Sequence, residues 1–404
     1  MFGSAAPSMT LSLPLGDSPL GDSPVGIPES TLPDVTHAPY YVVVPPYIRT
    51  SAGIRSFHLL THWLNRAGYQ AFVTIPPEQA RDATVLTNPH LLTPLLDQVV
   101  VDFHFRSGRK PIVLCSDSFP GTLTNAPFTV RWYGHYAGAL ANLGDAEISD
   151  LKYGYSRRIA LSLGVPDNVL CLPVTDTDTF RMGEPVERSG TCYYAAKYKS
   201  VFGGRVFGLP DGSIEITRDL PGSQRPDEIA RLFQTSKYFY CFEDSALILE
   251  AILCGCPVIM MKNRYFTNPL GVDDFGWDGV AWGDDPEEIA KAEQTVGNAH
   301  KNYTRVVRKF FEELGSFVAT TQAAAAERDY PRPIELRAGT PVSEQQAFRY
   351  MSASDVEQQL AETQRLLRMM HNSTSWRITA PVRWLITLLR NARRTRCGRG
   401  NTGP

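Results

Sequence analysis

Residues 237–262 show a strand–helix–strand pattern, KYFYCFEDSALILEAILCGCPVIMMK. The aromatic-rich run 238–242 is bounded by charged residues, which is typical of a buried parallel strand. The Asp and Ser that follow can cap a helix, and Gly255 fits its left-handed end. We therefore predict a helix over residues 246–254 and a strand over 258–261. A unit this short requires a right-handed crossover and indicates a doubly wound α/β sheet.

The predicted helix contains one charged residue, Glu250, with apolar residues on every face. A buried carboxylate needs a partner. That partner is either an arginine or lysine of the protein or a bound ligand, because the carboxyl edge of such sheets receives phosphates and ribose hydroxyls. Both interpretations remain open from the sequence. A cation from the same chain beside Glu250 would weaken the ligand interpretation.

The same stretch resembles the donor-site signature of GT-B glycosyltransferases. In that family an acidic strand end, a small or hydroxylic helix start and a mid-helix glutamate precede a Gly-Cys-Pro-Val-like turn. The matching residues here are Glu243, Asp244, Ser245, Glu250 and the turn at 255–258. The resemblance implies a GT-B fold, two Rossmann-like doubly wound domains facing a cleft, with a C-terminal helical extension.

The resemblance also implies residue roles. Ser245 and its neighbouring amides would bind the donor diphosphate, and Glu250 would bind the ribose. The commonest retaining enzymes place an additional glutamate where this chain has Phe242, and Glu243 follows one place later. The sugar-contacting role of Glu243 or Asp244, and the choice between inversion and retention, therefore stay open.

Composition bounds the class of protein. The chain has 404 residues, 43% of them hydrophobic, enough for two domains. A net charge of −2 provides no general field for nucleic acid. Seven scattered cysteines fit no disulfide framework and predict reduced, buried thiols. Paired Cys or His at zinc-ligand spacing is absent from the sequence, so we predict no metal site and no cofactor.

The first 36 residues are rich in Pro, Gly and Ser and lack a basic start, which predicts a disordered leader rather than a signal peptide. No apolar run is long enough to span a bilayer. We expect a cytoplasmic protein, with peripheral contact at the inner face of the cytoplasmic membrane.

Residues 37–178 are predicted to form the N-terminal, acceptor-binding domain. A glycine turn at 51–55 leads into a helix, and by resemblance Gly53 and Arg55 lie beside the acceptor and the donor phosphates. The predicted strands are 40–44, 70–75, 99–105, 111–115 and 168–172, and the predicted helices are 54–67 and 155–163.

Asp117 follows one of these strands, where a carboxylate can act as general base or simply cap a loop. The segment from 125 to 140 resembles bacterial surface-polysaccharide glycosyltransferases, which implies that Asp117 and Arg131 line the interdomain cleft. His135 is an alternative base, and His104 is a weaker one. Asp176 and Asp178 form an Asp-Thr-Asp triplet, but its position in the predicted linker argues against metal binding.

Residues 179–322 are predicted to form the C-terminal, nucleotide-sugar donor domain, with strands at 191–196 and 214–217 and a helix that begins near Pro226. By resemblance, a basic residue after the first strand neutralises the donor diphosphate, although each of these residues alone could be a surface side chain. The candidates are Lys197, Lys199 and Arg205, and Arg218, near the end of the next strand, is a further donor-binding candidate. The last helices, 286–299 and 303–320, are expected to return to the first domain, after a loop at 271–285.

Residues 323–350 are predicted to be a linker, and 351–404 a helical, basic tail. The apolar stripe of 354–370 allows a coiled coil, and hence a homo-oligomer, or a helix docked on the body. Tryptophans and a cluster of arginines in 375–400 predict contact with an anionic membrane. The Ser-Trp-Arg start of that segment also resembles the tails of bacterial cell-surface glycan enzymes.

We interpret the chain as a glycosyltransferase that moves a sugar from a nucleotide-sugar donor to a saccharide or lipid-linked saccharide acceptor, with no nucleic-acid partner. If it inverts configuration, a base such as Asp117 takes the acceptor proton. Two alternatives remain open: a sugar-nucleotide epimerase of the same fold, and a catalytically silent scaffold in a glycan-assembly complex.

Overall fold

The computed structural model describes residues 37–80, 83, 85–117, 119, 123–136, 150–184, 186–218 and 222–336. The first of its two lobes is built on a fully parallel sheet in the order β2-β1-β3-β4-β5. Its elements are β1 (Tyr40–Val43), α1 (Ala52–Arg66), β2 (Ala71–Thr74), α2 (Pro77–Ala80), α3 (Gln98–Arg106), β3 (Ile112–Ser116), β4 (Phe128–Tyr133), β5 (Leu151–Gly154) and α4 (Arg157–Ser162).

The second lobe repeats this plan. Its five strands are parallel in the order β10-β9-β8-β6-β7, so the first strand of each sheet lies between the second and the third. Its elements are β6 (Thr191–Tyr194), α5 (Ala196–Ser200), β7 (Ile214–Glu215), α6 (Pro226–Thr235), β8 (Tyr238–Cys241), α7 (Leu247–Leu253), β9 (Val258–Met260), α8 (Val272–Phe275), β10 (Val280–Trp282) and α9 (Pro286–Thr295). The predicted pair of doubly wound, Rossmann-like sheets is confirmed.

A long final helix, α10 (Ala299–Ala326), joins the two lobes. Its first turns pack into the core of the second lobe through Ala299 and Tyr303. Further along, Phe310 and Phe317 are buried in the core of the first lobe. The predicted return of the last helices to the first domain is therefore confirmed, although two predicted helices are replaced by α9, a 3-10 turn and one longer helix.

The sequence stretch that anchors the prediction folds as expected. The Ser245 hydroxyl accepts a 3.2 Å hydrogen bond from the N–H of Leu247, the first residue of α7, although the cap position itself is Ala246 and carries no side-chain cap. Gly255 has a φ of 75°, the left-handed conformation that ends the helix. The six described cysteines are buried and form no disulfide with one another.

Several secondary-structure predictions were wrong. Residues 99–105 lie in helix α3 instead of a strand, because the Asp97 carboxylate caps a helix there. Val99 and Val101 would share one face of a strand, but Val99 is exposed and Val101 is buried, as fits a helix. Residues 168–172 make only an isolated bridge, between Val169 and Gly154, instead of a strand. Strands β4, β5 and β10 were not predicted.

The predicted leader, the basic tail and its coiled coil fall in residues 1–36 and 337–404, outside the described residues. Ile334, inside the predicted linker, is instead buried against the first lobe. Within the described ranges, no helix is both long and apolar enough to cross a membrane.

Candidate functional site

Two polar clusters lie where the lobes meet. The first, which we call the interlobe ion cluster, consists of Arg55, Arg218 and Glu250. Glu250 on α7 is fully buried, and its Oε1 lies 3.5 Å from Nη2 of Arg55 and 3.9 Å from Nη2 of Arg218. Arg55 comes from α1 of the first lobe and Arg218 follows β7 of the second. This cluster therefore links the lobes through charge.

The structure thus supplies Glu250 with a cation from its own chain, the outcome that weakens the ligand interpretation. Both distances exceed the 2.7–2.9 Å range of strong charge-assisted bonds. Arg55 also donates from Nη1 to the carbonyl of Val174 at 3.2 Å. Within the described part of the chain, Oε2 of Glu250 and Nε of Arg55 have no hydrogen-bond partner.

The second group, the Lys197 cluster, consists of His135, Lys197, Glu243 and Asp244. β6 and β8 are neighbours in the sheet, with Tyr194 paired to Cys241, so the residues just beyond the two strands meet at the carboxyl edge. His135 reaches the same place from the first lobe, after β4. Lys197 interacts electrostatically with all three other members.

The two carboxyl groups of this cluster are held by backbone donors. Oε2 of Glu243, which is buried, accepts a 2.7 Å bond from the N–H of Tyr198. Oδ1 of Asp244 accepts a 3.1 Å bond from the N–H of Leu270. Oε1 of Glu243 has no hydrogen-bond partner among the residues that the structure describes. Backbone donors therefore position both carboxyl groups, while one oxygen of Glu243 still lacks a hydrogen-bond partner among the described residues.

Burial perturbs the titration of these groups. It raises the pKa of Asp244 to about 7 and also raises the pKa of Glu243, and the nearby ammonium of Lys197 opposes both shifts. Burial, together with the charge of Lys197, lowers the pKa of His135 to about 3. At neutral pH His135 is a neutral imidazole, and Asp244 is close to half-protonated. Such groups can exchange protons with a substrate.

The other predicted basic residues lie elsewhere. Lys199 is exposed and forms an ion pair with Glu215. Arg205 is exposed as well, and its carbonyl accepts a bond from the Tyr198 hydroxyl at 3.2 Å. Of the three candidates that follow β6, only Lys197 belongs to the cluster.

The sequence predicted that Arg131 lines the interdomain cleft, and the structure places its side chain elsewhere. Its side chain is completely buried and therefore does not line an open cleft. Its Nη1 donates to the carbonyls of Ser116 and Phe119 at 2.7 and 2.6 Å. Arg131 thus fixes the loop that carries Asp117, and Asp117 itself is half-buried directly after β3.

The remaining predicted positions have simple structural settings. Gly53 is exposed in the first turn of α1, and a Cβ added there would meet no atom within 4 Å. His104 is buried and bonds through Nδ1 to the Tyr41 hydroxyl at 2.8 Å. Asp176 accepts bonds from the N–H and hydroxyl of Thr179, so it shapes a turn. In the described ranges, no group of three or more His, Cys, Asp or Glu residues could hold a metal ion.

The sequence did not predict the polar contacts between the two lobes beside the Lys197 cluster. Arg158 forms a bidentate ion pair with Asp273, at 2.7 and 2.9 Å. The hydroxyl of Tyr136 accepts a 2.8 Å bond from Asn268. No local signal reveals these pairs, because their partners are more than a hundred residues apart in the chain.

No family model and no curated protein matches the chain. Among solved structures, it is similar to the glycosyltransferase SnogD from Streptomyces nogalater, at 12% identity over 71% of this chain and 100% of that chain, with a TM-score of 0.37. It is also similar to WaaG, a glycosyltransferase involved in lipopolysaccharide biosynthesis, at 12% identity over 71% and 98% of the two chains, with a TM-score of 0.37.

A putative UDP-N-acetylglucosamine 2-epimerase from Listeria monocytogenes is similar to the same degree, at 10% identity over 74% of this chain and 99% of that chain, with a TM-score of 0.35. Identities and TM-scores this low support no conclusion about activity or ligands. The two parallel sheets themselves define the fold.

Proposed function

We propose that this protein is a glycosyltransferase that moves a sugar from a nucleotide-sugar donor to a saccharide or lipid-linked saccharide acceptor in bacterial surface glycan assembly. The observation that carries the proposal is the Lys197 cluster. It combines a cation, two carboxyl groups and a neutral imidazole at the adjacent carboxyl ends of β6 and β8, the position where doubly wound sheets receive nucleotides. The donor-site resemblance of residues 243–258 supports the same reaction.

In this proposal the ammonium of Lys197 binds the donor diphosphate and stabilises the negative charge that develops as the nucleotide leaves. Glu243, whose Oε1 is unsatisfied among the described residues, accepts a hydrogen bond from the donor sugar together with Asp244. Backbone donors already hold the carboxyl groups of Glu243 and Asp244 before the ligand arrives, so these two groups need little reorganisation during the reaction.

His135 is the base that we propose for the acceptor hydroxyl. A pKa of about 3, caused first by burial and second by the charge of Lys197, makes it a weak base. A bound diphosphate would offset the charge of Lys197 and so raise the pKa of His135 in part, while burial would still hold it below its ordinary value. Asp117, half-buried after β3, is the alternative base of the first lobe.

Only one oxygen of Glu250 is available for the ribose contact that the family resemblance implies. Its Oε1 lies beside two arginines, so the ribose contact implied by the family resemblance would have to be made by Oε2. The same arginines favour a second candidate function, a catalytically silent lobe pair that acts as a scaffold. A scaffold needs the ion cluster to hold its lobes together and needs no donor.

Release of nucleoside diphosphate from a panel of nucleotide sugars, with and without saccharide acceptors, tests the proposal. We expect one donor to be turned over, and Lys197→Met to lower kcat/KM by about 10²–10³. Lys199→Met is the matched control, because Lys199 lies two positions away and is already paired with Glu215. Equal rates in the two variants would contradict the role of Lys197, and binding without release of any nucleotide would favour the scaffold.

A further inference from the structure

Two loops at the carboxyl edge of the second sheet form one surface, which we call the rim. It consists of residues 201–208, after α5, and 261–266, after β9. The rings of Phe202 and Tyr265 stack with their centroids 4.4 Å apart. Phe207 and Lys262 line the same shallow hollow of about 380 Å³. The rim is therefore a continuous surface, and it adjoins the Lys197 cluster, since the ring of Phe207 packs against Phe242, the residue before Glu243.

The rim exposes large apolar side chains. The exposed fractions are 58% for Val201, 36% for Val206, 46% for Phe207 and 39% for Tyr265. Scattered single exposed apolar residues are normal on a soluble protein, but a group on two loops in contact marks an interaction surface. A partner that binds the rim should therefore bury these apolar side chains in an apolar environment.

The charge of the rim is one-sided. Arg205, Lys262 and Arg264 are exposed on it, and residues 195–210 and 258–270 contain no Asp or Glu, although the chain as a whole has a net charge of −2. The guanidinium of Arg264 lies over the ring of Tyr265, at 4.4 Å. Asp284 and Asp285 also line the hollow, so the excess of cations belongs to the two loops themselves. A partner that binds these loops should therefore be anionic as well as apolar.

We propose that the rim docks on an anionic lipid surface. Exposed valines and aromatic rings would enter the headgroup region, and the three cations would pair with lipid phosphates, a combination that binds peripheral proteins to anionic leaflets. Aliphatic Val201 and Val206 favour lipid over single-stranded nucleic acid, which is bound by stacking aromatic rings. The contact lies in the folded body and adds to the one predicted for the tail.

Co-sedimentation of the full-length protein with vesicles tests this inference without any turnover. The vesicles are phosphatidylcholine with phosphatidylglycerol, compared with phosphatidylcholine alone. Lys262→Glu/Arg264→Glu should lower the partition constant on the anionic vesicles by about tenfold or more, since each basic residue near such a surface contributes roughly fivefold. The control is Lys301→Glu/Arg308→Glu, which reverses two exposed charges on α10.

A second pair of variants tests the apolar component. Val206→Ser/Phe207→Ser should weaken binding several-fold, whereas Val99→Ser/Phe103→Ser on the exposed face of α3 should leave it unchanged. All variants carry the same tail, so its contribution cancels. The inference is overturned if both rim variants partition like their controls. It is also overturned if the rim variants change only the oligomeric state, or only the binding of single-stranded DNA.

Discussion

The interlobe ion cluster and the Lys197 cluster sit between the same two lobes, but they differ in how their charges are satisfied. Glu250 is fully buried with two arginines beside it. Lys197 is exposed and forms no ion pair within 4.0 Å among the described residues, while Asp244 and His135 beside it have strongly shifted pKa values. Burial of a charge alone therefore does not mark a ligand site. We propose that the ligand site is the Lys197 cluster, where the cation has no ion pair within 4.0 Å among the described residues.

This contrast assigns different consequences to mutation. Loss of a residue in the ion cluster should first lower stability, because the remaining partner is left buried and unpaired. Loss of a residue in the Lys197 cluster should first lower ligand affinity or turnover, since in the proposed function a bound ligand completes that cluster.

Glu250→Ala should lower the free energy of unfolding by about 3–5 kcal/mol, because the guanidinium of Arg55 would lose its buried partner. Asp227→Ala is the control, since Asp227 forms only exposed ion pairs with Arg225 and Arg231 and its loss should change stability little. Urea denaturation measures both. A loss for Glu250→Ala no larger than that for the control would show that the ion cluster does not hold the lobes.

The same pair can be replaced as a unit. Arg55→Met/Glu250→Leu should destabilise less than Glu250→Ala, because the buried guanidinium of Arg55 is removed together with its partner and only Arg218 loses its carboxylate. If the double variant is at least as unstable as the single one, packing rather than charge dominates at this site.

His135→Gln should lower kcat about 100-fold under saturating donor, because the neutral ring would no longer take the acceptor proton. Asp117→Asn is the matched test of the rival base in the same lobe. Steady-state kinetics over pH separates them, since loss of the base also removes the acidic limb of the profile. A full loss with Asp117→Asn and none with His135→Gln would reverse the assignment.

Asp244→Asn should raise stability at high pH. The pKa of Asp244 is about 7 in the folded protein and 3.8 as its ordinary value, so the folded state holds its proton more tightly. Wild-type stability therefore falls as pH rises from about 4 to about 7, and the loss is complete above that range. Asn keeps an acceptor for the Leu270 N–H and carries no charge, so the variant should gain stability at pH 8, by at most about 4 kcal/mol for a pKa shift from 3.8 to about 7, and nothing at pH 4.

Asp273→Asn is the control of opposite sign. The ion pair with Arg158 lowers the pKa of Asp273, so that carboxylate stabilises the fold above its ordinary pKa, and the effect is lost as pH falls. Its replacement should therefore be destabilising at pH 8 and less so at pH 4. Thermal unfolding at the two pH values measures both variants. An Asp244→Asn gain that does not depend on pH would contradict the shifted pKa.

Much of the fold was predictable because local signals agreed with one another. Around α7, the Ser245 hydroxyl beside the first turn, the left-handed Gly255 and the flanking apolar runs all specify the same unit. Helix α3 was mistaken for a strand because its valines have strand preference, whereas the Asp97 cap and the packing of Val101 determine its conformation.

The candidate site was only partly predictable. Glu243 and Asp244 were found from the strand that precedes them, and Lys197 from its place after β6. The partners of Glu250 could not be identified, since Arg55 is 195 positions away and only the docked lobes bring it close. The position of Arg131 could not be predicted for a related reason, because a sequence does not show whether a strand residue points into the core or toward a cleft.

The central claim is that Lys197 binds the diphosphate of a nucleotide donor. Isothermal titration calorimetry with UDP, ADP, GDP and dTDP tests it most directly, using wild type, Lys197→Met and Lys199→Met. We predict that one nucleotide binds wild type and Lys199→Met equally and binds Lys197→Met at least about tenfold more weakly, as loss of a charged hydrogen bond implies. Equal affinity for all three proteins, or no binding of any nucleotide to wild type, would contradict the claim.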